Sequence, residues 1–148
     1  MQRRHFLRYL STLPLIGGLL KSAAALAEWN VDAFTAETEQ EALAVFFPGE
    51  EIQVSDAINI GVHDRIENGA VVPLRINTEL PQVSSVTIFV EKNPNPLIAH
   101  FDLSPECEAL VATRIKMSTP SDVVIVVRSQ GQLFSRRKFV EVVEGGCG

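Results

Sequence analysis

Cysteine is nearly absent from this chain: Cys107 and Cys147 are the only two in 148 residues. Two thiols cannot staple a small disulfide-built fold or supply a four-cysteine zinc site. Basic residues are also scarce. Thirteen Lys and Arg stand against 18 Asp and Glu, giving a net charge of −5, which argues against a nucleic-acid binder. Internal repeats and low-complexity tracts are missing, and after residue 27 there is no long apolar run to hold the chain in a membrane. What remains is globular: 46% hydrophobic and 21% charged residues, at a length that suits one domain.

The charge is unevenly spread. Residues 1–27 hold Arg3, Arg4, Arg8 and Lys21 and no acid, a charge of +4, so the rest carries −9. This first stretch has the three parts of an export signal: a basic head, an apolar run from Tyr9 to Leu20, and the small-x-small site Ala25-Leu26-Ala27. Adjacent Arg3-Arg4 followed by Phe6-Leu7 predict a twin-arginine signal rather than an ordinary secretory one. The expected mature protein is residues 28–148, acidic and periplasmic.

Within it, residues 28–38 read as a polar, loosely ordered lead. Glu39 to Phe47 reads as one short helix, with Thr38 as N-cap, Glu41 three residues later, and Pro48-Gly49 as the stop. Everything afterwards is short strands with turn punctuation: 54–62, 70–78, 86–91, 97–103, 110–117, 123–128 and 133–143. About seven strands at this spacing predict an all-β, immunoglobulin-like sandwich of antiparallel strands, spanning residues 28–143 with the helix. Val123-Val124-Ile125-Val126-Val127 is apolar on both faces, so it should be a central strand whose outer face is covered by another layer or a partner chain.

The last strand runs directly into Glu144-Gly145-Gly146-Cys147-Gly148. A cysteine between glycines beyond the last strand is no core residue, because each flanking unit lacks Cβ and is nearly free to rotate. The five residues form a flexible arm that reaches about 15 Å from the sheet when drawn out. A self-sufficient catalytic thiol needs a histidine or helix N-terminus to make thiolate. Here Glu141, Glu144 and the terminal carboxylate surround Cys147 with negative charge, which disfavours the thiolate. Such a sulfur suits delivery into another protein's pocket. The rival readings are a thiol oxidoreductase or sulfurtransferase that uses Cys147 catalytically, and a structural adaptor to which the tail is irrelevant.

The twin-arginine head, the small β domain and the Gly145-Gly146-Cys147-Gly148 terminus together resemble the SoxY family, sulfur carriers of periplasmic thiosulfate oxidation. Three internal segments are similar as well: Ile66-Glu67-Asn68-Gly69-Ala70-Val71-Val72-Pro73, the run from Ile88 to Ala99 that contains Asn93-Pro94-Asn95-Pro96, and Thr113-Arg114-Ile115-Lys116-Met117. One departure is visible: family members usually carry a second glycine after the cysteine, and here only Gly148 follows. The resemblance implies a non-enzymatic subunit with no cofactor of its own. It implies that Cys147 is the covalent attachment point and that Gly145, Gly146 and Gly148 let it enter several narrow pockets. It also implies a SoxZ-like β-sandwich partner, a SoxAX-like haem cytochrome that loads thiosulfate, a dimanganese SoxB-like hydrolase that releases sulfate and, in some organisms, a SoxCD-like molybdenum-haem enzyme.

Other residues have plainer readings. Cys107, in Ser104-Pro105-Glu106-Cys107-Glu108, reads as a free thiol or a buried small residue, with a disulfide to Cys147 as the alternative if the two approach within the ~7 Å that a bridge requires. His63, His100 and Met117 fit no compact copper motif and read as separate residues. Arg136-Arg137-Lys138 reads as the charged face of an exposed edge strand, with a docking spot or an electrostatic lure for thiosulfate near the arm as the alternatives. Asn93-Pro94-Asn95-Pro96 is a rigid turn or part of a partner interface.

Overall fold

The computed structural model describes residues 30–143. Both the signal segment and the carrier arm predicted from sequence lie outside the described residues. Among the described residues are two short helices, α1 (Val31–Thr35) and α2 (Glu39–Phe46), and nine strands: β1 (Ile52–Val54), β2 (Ile58–Gly61), β3 (Arg65–Ile66), β4 (Val72–Thr78), β5 (Val83–Val90), β6 (Leu97–Asp102), β7 (Leu110–Ile115), β8 (Ser121–Ser129) and β9 (Gln132–Val142). Seven of the strands have four residues or more, and their pairings with one another are all antiparallel. The two shortest, β1 and β3, pair parallel to β9. The result is the expected β-sandwich. One sheet is ordered β1-β9-β8-β5-β6, with β3 also on β9; the other is ordered β2-β4-β7.

The alternation of side chains along a strand explains the layers. Strand β4 buries Val72, Leu74 and Ile76 and exposes Pro73, Arg75 and Asn77. These inward residues meet Val86, Ile88 and Val90 of β5 and Val123, Ile125 and Val127 of β8 in the core between the sheets. The opposite faces of β5 and β8 present Phe89, Val124 and Val126, which pack with Leu97, Leu133, Ala33, Ala36, Ala42 and Phe47. The chain's own helices therefore cover the second apolar face of β8. Small alanines let the helices lie close to the sheet, and Phe47 fills the gap that they leave.

Several expectations need correction. Residues 31–35 are helix rather than a loose lead: the Asn30 side chain accepts a hydrogen bond from the Ala33 amide at 3.1 Å and caps that turn. Helix α2 begins as predicted, with Thr38 Oγ1 accepting from the Glu41 amide at 3.2 Å. The 54–62 run is broken at residues 55–57 into β1 and β2, which belong to different sheets. Strand β9 is not an edge, because β8 lies on one side and the short β1 and β3 lie on the other.

Between those two short strands, β9 is held by its own cations. Arg136 donates to the carbonyls of Asp56 and Ile58, both at 2.8 Å, and Lys138 to that of Val62 at 2.7 Å. The β8–β9 hairpin turns at Gln130 and Gly131, both with positive φ, the geometry that matches strand twist.

If the helices are a structural layer, Phe47→Ala, which truncates a side chain only 4% exposed, lowers stability by about 3–4 kcal/mol in urea denaturation. Val54→Ala, at a side chain 86% exposed, changes it by less than about 0.5 kcal/mol. Equal effects would contradict the assignment of Phe47 to a core.

Candidate functional site

Strand β9 is the longest strand, at 11 residues, and crosses the whole sandwich before the tail begins. Its final residues are held by pairing with β3 and by burial of alternate side chains. The Glu141 amide donates to the Asp64 carbonyl and the Val143 amide to the Ile66 carbonyl, both at 2.8 Å, which continues the parallel pairing with β3 to the last described residue. Val140 and Val142 are buried in the inter-sheet core. The chain thus leaves the domain at a rigid point, and Cys147 with Gly145, Gly146 and Gly148 follows outside the described residues.

Two loops make that point rigid. The Met117 amide donates to the Gly69 carbonyl at 2.8 Å, clamping the β7–β8 connection onto the β3–β4 connection. A Cβ on Gly69 would collide with the Met117 carbonyl oxygen and meet Val142 Cγ1 at 3.0 Å, so only glycine fits there. Asn68 shapes the approach, its Oδ1 accepting from the Ala70 amide at 2.9 Å. The second loop is Asn93 to Pro96. The Asn93 side chain points inward and is buried. Its Nδ2 donates to the Lys116 carbonyl at 2.8 Å, and its Oδ1 accepts from the Ser118 amide at 3.0 Å. Asn93 therefore braces both sides of Met117.

The three internal segments singled out from sequence thus converge on one place, the root of the tail. Sequence reasoning found the segments but not their junction, because Gly69, Asn93 and Met117 are far apart in the chain. The one local signal was an Asn-Gly step after β3, which reads as an ordinary turn.

Charges around the root are mostly compensated. Lys138 Nζ lies 2.9 Å from the Asp64 carboxylate and holds it below the usual carboxylate range through that hydrogen bond and its charge. Arg65 stands 4.0 Å from Glu141, an exposed contact of little strength. On the helix side, Arg137 pairs with Glu39 at 2.8 Å and Asp122 at 3.2 Å, with Glu91 at 3.8 Å. Burial pushes the Glu39 carboxyl up despite the pull of Arg137. All three residues of the basic cluster are thus committed to holding elements together.

The remaining sequence candidates lie apart. Cys107 is a free, exposed thiol in the β6–β7 loop, beside Thr78 and Leu80 at the other end of the sandwich. Strand β4 alone separates the two ends by about 20 Å. A bridge to Cys147 would need the tail drawn out along the whole face. Met117 is buried under the root. His100 bonds Thr87 at 2.8 Å and Asp102 at 3.2 Å beneath the Phe46 ring, and His63 lines a depression on the small sheet. Among the described residues, no group of three or more His, Cys, Asp or Glu is placed to hold a metal.

Comparison with known proteins agrees with this arrangement. The family described as "Sulfur oxidation protein SoxY" matches residues 43–147, a span that includes Cys147. The sulfur carrier protein SoxY from Chlorobium limicola f thiosulfatophilum is 33% identical over 71% of this chain and 96% of its own, with a TM-score of 0.65. A superoxide reductase (neelaredoxin) from Ignicoccus hospitalis superposes with a TM-score of 0.56 at 11% identity, covering 62% of this chain and 95% of its own. Its E23A form gives 0.53 at 15%, covering 59% and 80%. These two likenesses show a shared fold and nothing more. No curated protein sequence matches the chain.

Two outcomes test the root. Gly69→Ala, forced against the Met117 carbonyl, lowers stability by about 1–3 kcal/mol in urea denaturation, and unchanged stability would show that the junction is loose. Asp64 has a lowered carboxyl pKa, so its contribution is complete above the ordinary carboxylate pKa and is lost as pH falls through the lowered one. Asp64→Asn therefore flattens part of the acid side of the stability–pH curve and leaves its shape near neutrality unchanged.

Proposed function

The chain belongs to the SoxY family of sulfur oxidation proteins, and on that premise we propose that it is a periplasmic sulfur carrier, with Cys147 as the covalent handle. The observation that carries this reading is the junction at Val143. A strand anchored to its end runs straight into Glu144-Gly145-Gly146-Cys147-Gly148, and the family match continues through Cys147. A rigid body, two glycines and then a thiol form a handle whose sulfur can be presented at different depths and angles.

The chemistry is divided between this chain and its partners. In loading, the Cys147 thiol and thiosulfate join through a new S–S bond. The product is an S-thiosulfonate, one proton is released, and two electrons leave one at a time through the haem centres of a SoxAX-like enzyme. A SoxB-like hydrolase then adds water and releases sulfate and one proton, leaving a persulfide on Cys147. Where a SoxCD-like enzyme exists, it oxidises the remaining sulfane sulfur. A SoxZ-like subunit forms the folded heterodimer, and the Arg3-Arg4 signal suits twin-arginine export of a folded pair. The carrier itself needs no cofactor, since each partner supplies the redox or hydrolytic centre.

Cys147→Ser tests this directly. Intact-mass spectrometry of periplasmic protein during thiosulfate oxidation should show sulfur adducts on the natural chain and none on the variant, with unchanged thermal stability. A natural chain that stays unmodified throughout turnover would contradict the carrier role.

A further inference from the structure

Beyond residue 27 the chain has nine Lys and Arg. Five are in ion pairs with its own acids: Arg65, Arg128, Arg136, Arg137 and Lys138. Among the described residues, Arg75, Lys92, Arg114 and Lys116 have no such partner, and three of these four gather in one place. Arg75 points outward from β4, Arg114 points outward from β7, and Lys116 is exposed just after β7. Pro73 pairs with Arg114, and Arg75 with Ala112, so the two guanidinium groups sit on neighbouring strands of the same exposed face. Together with His63 they line an open depression of about 540 Å³ floored by Gly61, Pro73 and Ala112. The outward positions of this sheet are Asn59, Gly61, Pro73, Arg75, Asn77, Leu110, Ala112 and Arg114, with no acid among them. In a region that carries −9, an acid-free basic face is a strong local exception.

The face adjoins the root of the tail. Arg114 is three residues before Met117, about 10 Å along the chain. Cys147 is four residues beyond Val143 and can stand no more than about 14 Å from it. A protein seated on the face would have the thiol within reach of its own pocket, with the sandwich held still.

We propose that the outer face of β2-β4-β7 is the docking surface for the acidic rim of a protein that takes up the arm. This deepens the carrier reading and rests on it. Charge complementarity selects the occupant. The free cations are exposed and interspersed with Asn59 and Asn77, with only Val71 and Leu110 as sizeable apolar groups at the margins, a composition suited to fast, salt-sensitive, transient association. A permanent subunit would instead call for a larger apolar patch. A second copy of this chain meeting the same face by two-fold symmetry would set Arg75 and Arg114 against themselves. A small anion would find no enclosure in so open a depression.

The test uses the mature full-length chain with its β-sandwich partner, the host's haem-containing loading enzyme and thiosulfate, and follows mass gain on Cys147. Arg75→Glu combined with Arg114→Glu should raise the KM for the carrier about tenfold or more at low salt, leave kcat within about twofold, and remove most of the salt dependence of kcat/KM. Lys92→Glu, a single charge reversal on the helix side, should stay within about twofold of the natural chain, whereas Arg75→Glu or Arg114→Glu alone should each raise the KM measurably. Unchanged KM in the double variant, with normal loading, would overturn the docking surface and leave the carrier reading standing. An increase in the KM for thiosulfate instead would point to a small-anion site and also overturn it. If the natural chain itself takes up no mass, the carrier reading fails and the docking surface with it.

Discussion

The end of β9 is the constraint on which the rest depends. An 11-residue strand spans about 35 Å, and the amide of Val143 just beyond it is still bonded to the Ile66 carbonyl. On the proposed carrier reading, a tether serves only if its attachment point is fixed; otherwise a tethered thiol would sample a much larger volume and its effective concentration at a docked pocket would fall. Gly69 against Met117, and Asn93 against Lys116 and Ser118, supply that fixity with a few hydrogen bonds and one close backbone approach. The domain's two cores, one between the sheets and one under the helices, brace the strand on both faces.

The sandwich could be read from the sequence because strand periodicity is a local signal. Val72, Leu74 and Ile76 alternate with Pro73 and Arg75, and the helix start at Thr38 is a local capping pattern. The apolar run Val123 to Val127 within β8 correctly demanded cover on both faces. What escaped was non-local. Helix α1 is too short to show a period, and it folds where Ala33 and Ala36 pack against the outer core. Strands β1 and β3 have three and two residues, and they exist because β9 offers them a parallel partner. Arg136 and Lys138 looked like edge charges, but their roles depend on carbonyls more than 70 residues earlier.

The site divides in the same way. The thiol and its glycines stand in sequence order, so a carrier arm could be proposed from the sequence alone. The junction at Gly69, Asn93 and Met117 could not, because it exists only once three connections meet. The likeness to superoxide reductases at 11–15% identity adds a caution of its own: a shared sandwich carries no shared chemistry, which lives in side chains and termini rather than in the sheets. Here membership of the SoxY family, and a match that continues through Cys147, tie the fold to a role.

The central claim is that the Cys147 sulfur is delivered by this chain and activated elsewhere. The most direct measurement is the pH dependence of Cys147 alkylation in the isolated protein, made in a Cys107→Ser background so that only one thiol reacts. Glu141 and Glu144, close to Cys147 in the chain, predict an apparent pKa at or above the ordinary thiol value of about 8.5. A value well below it would mean that the chain makes its own thiolate, and would contradict the account.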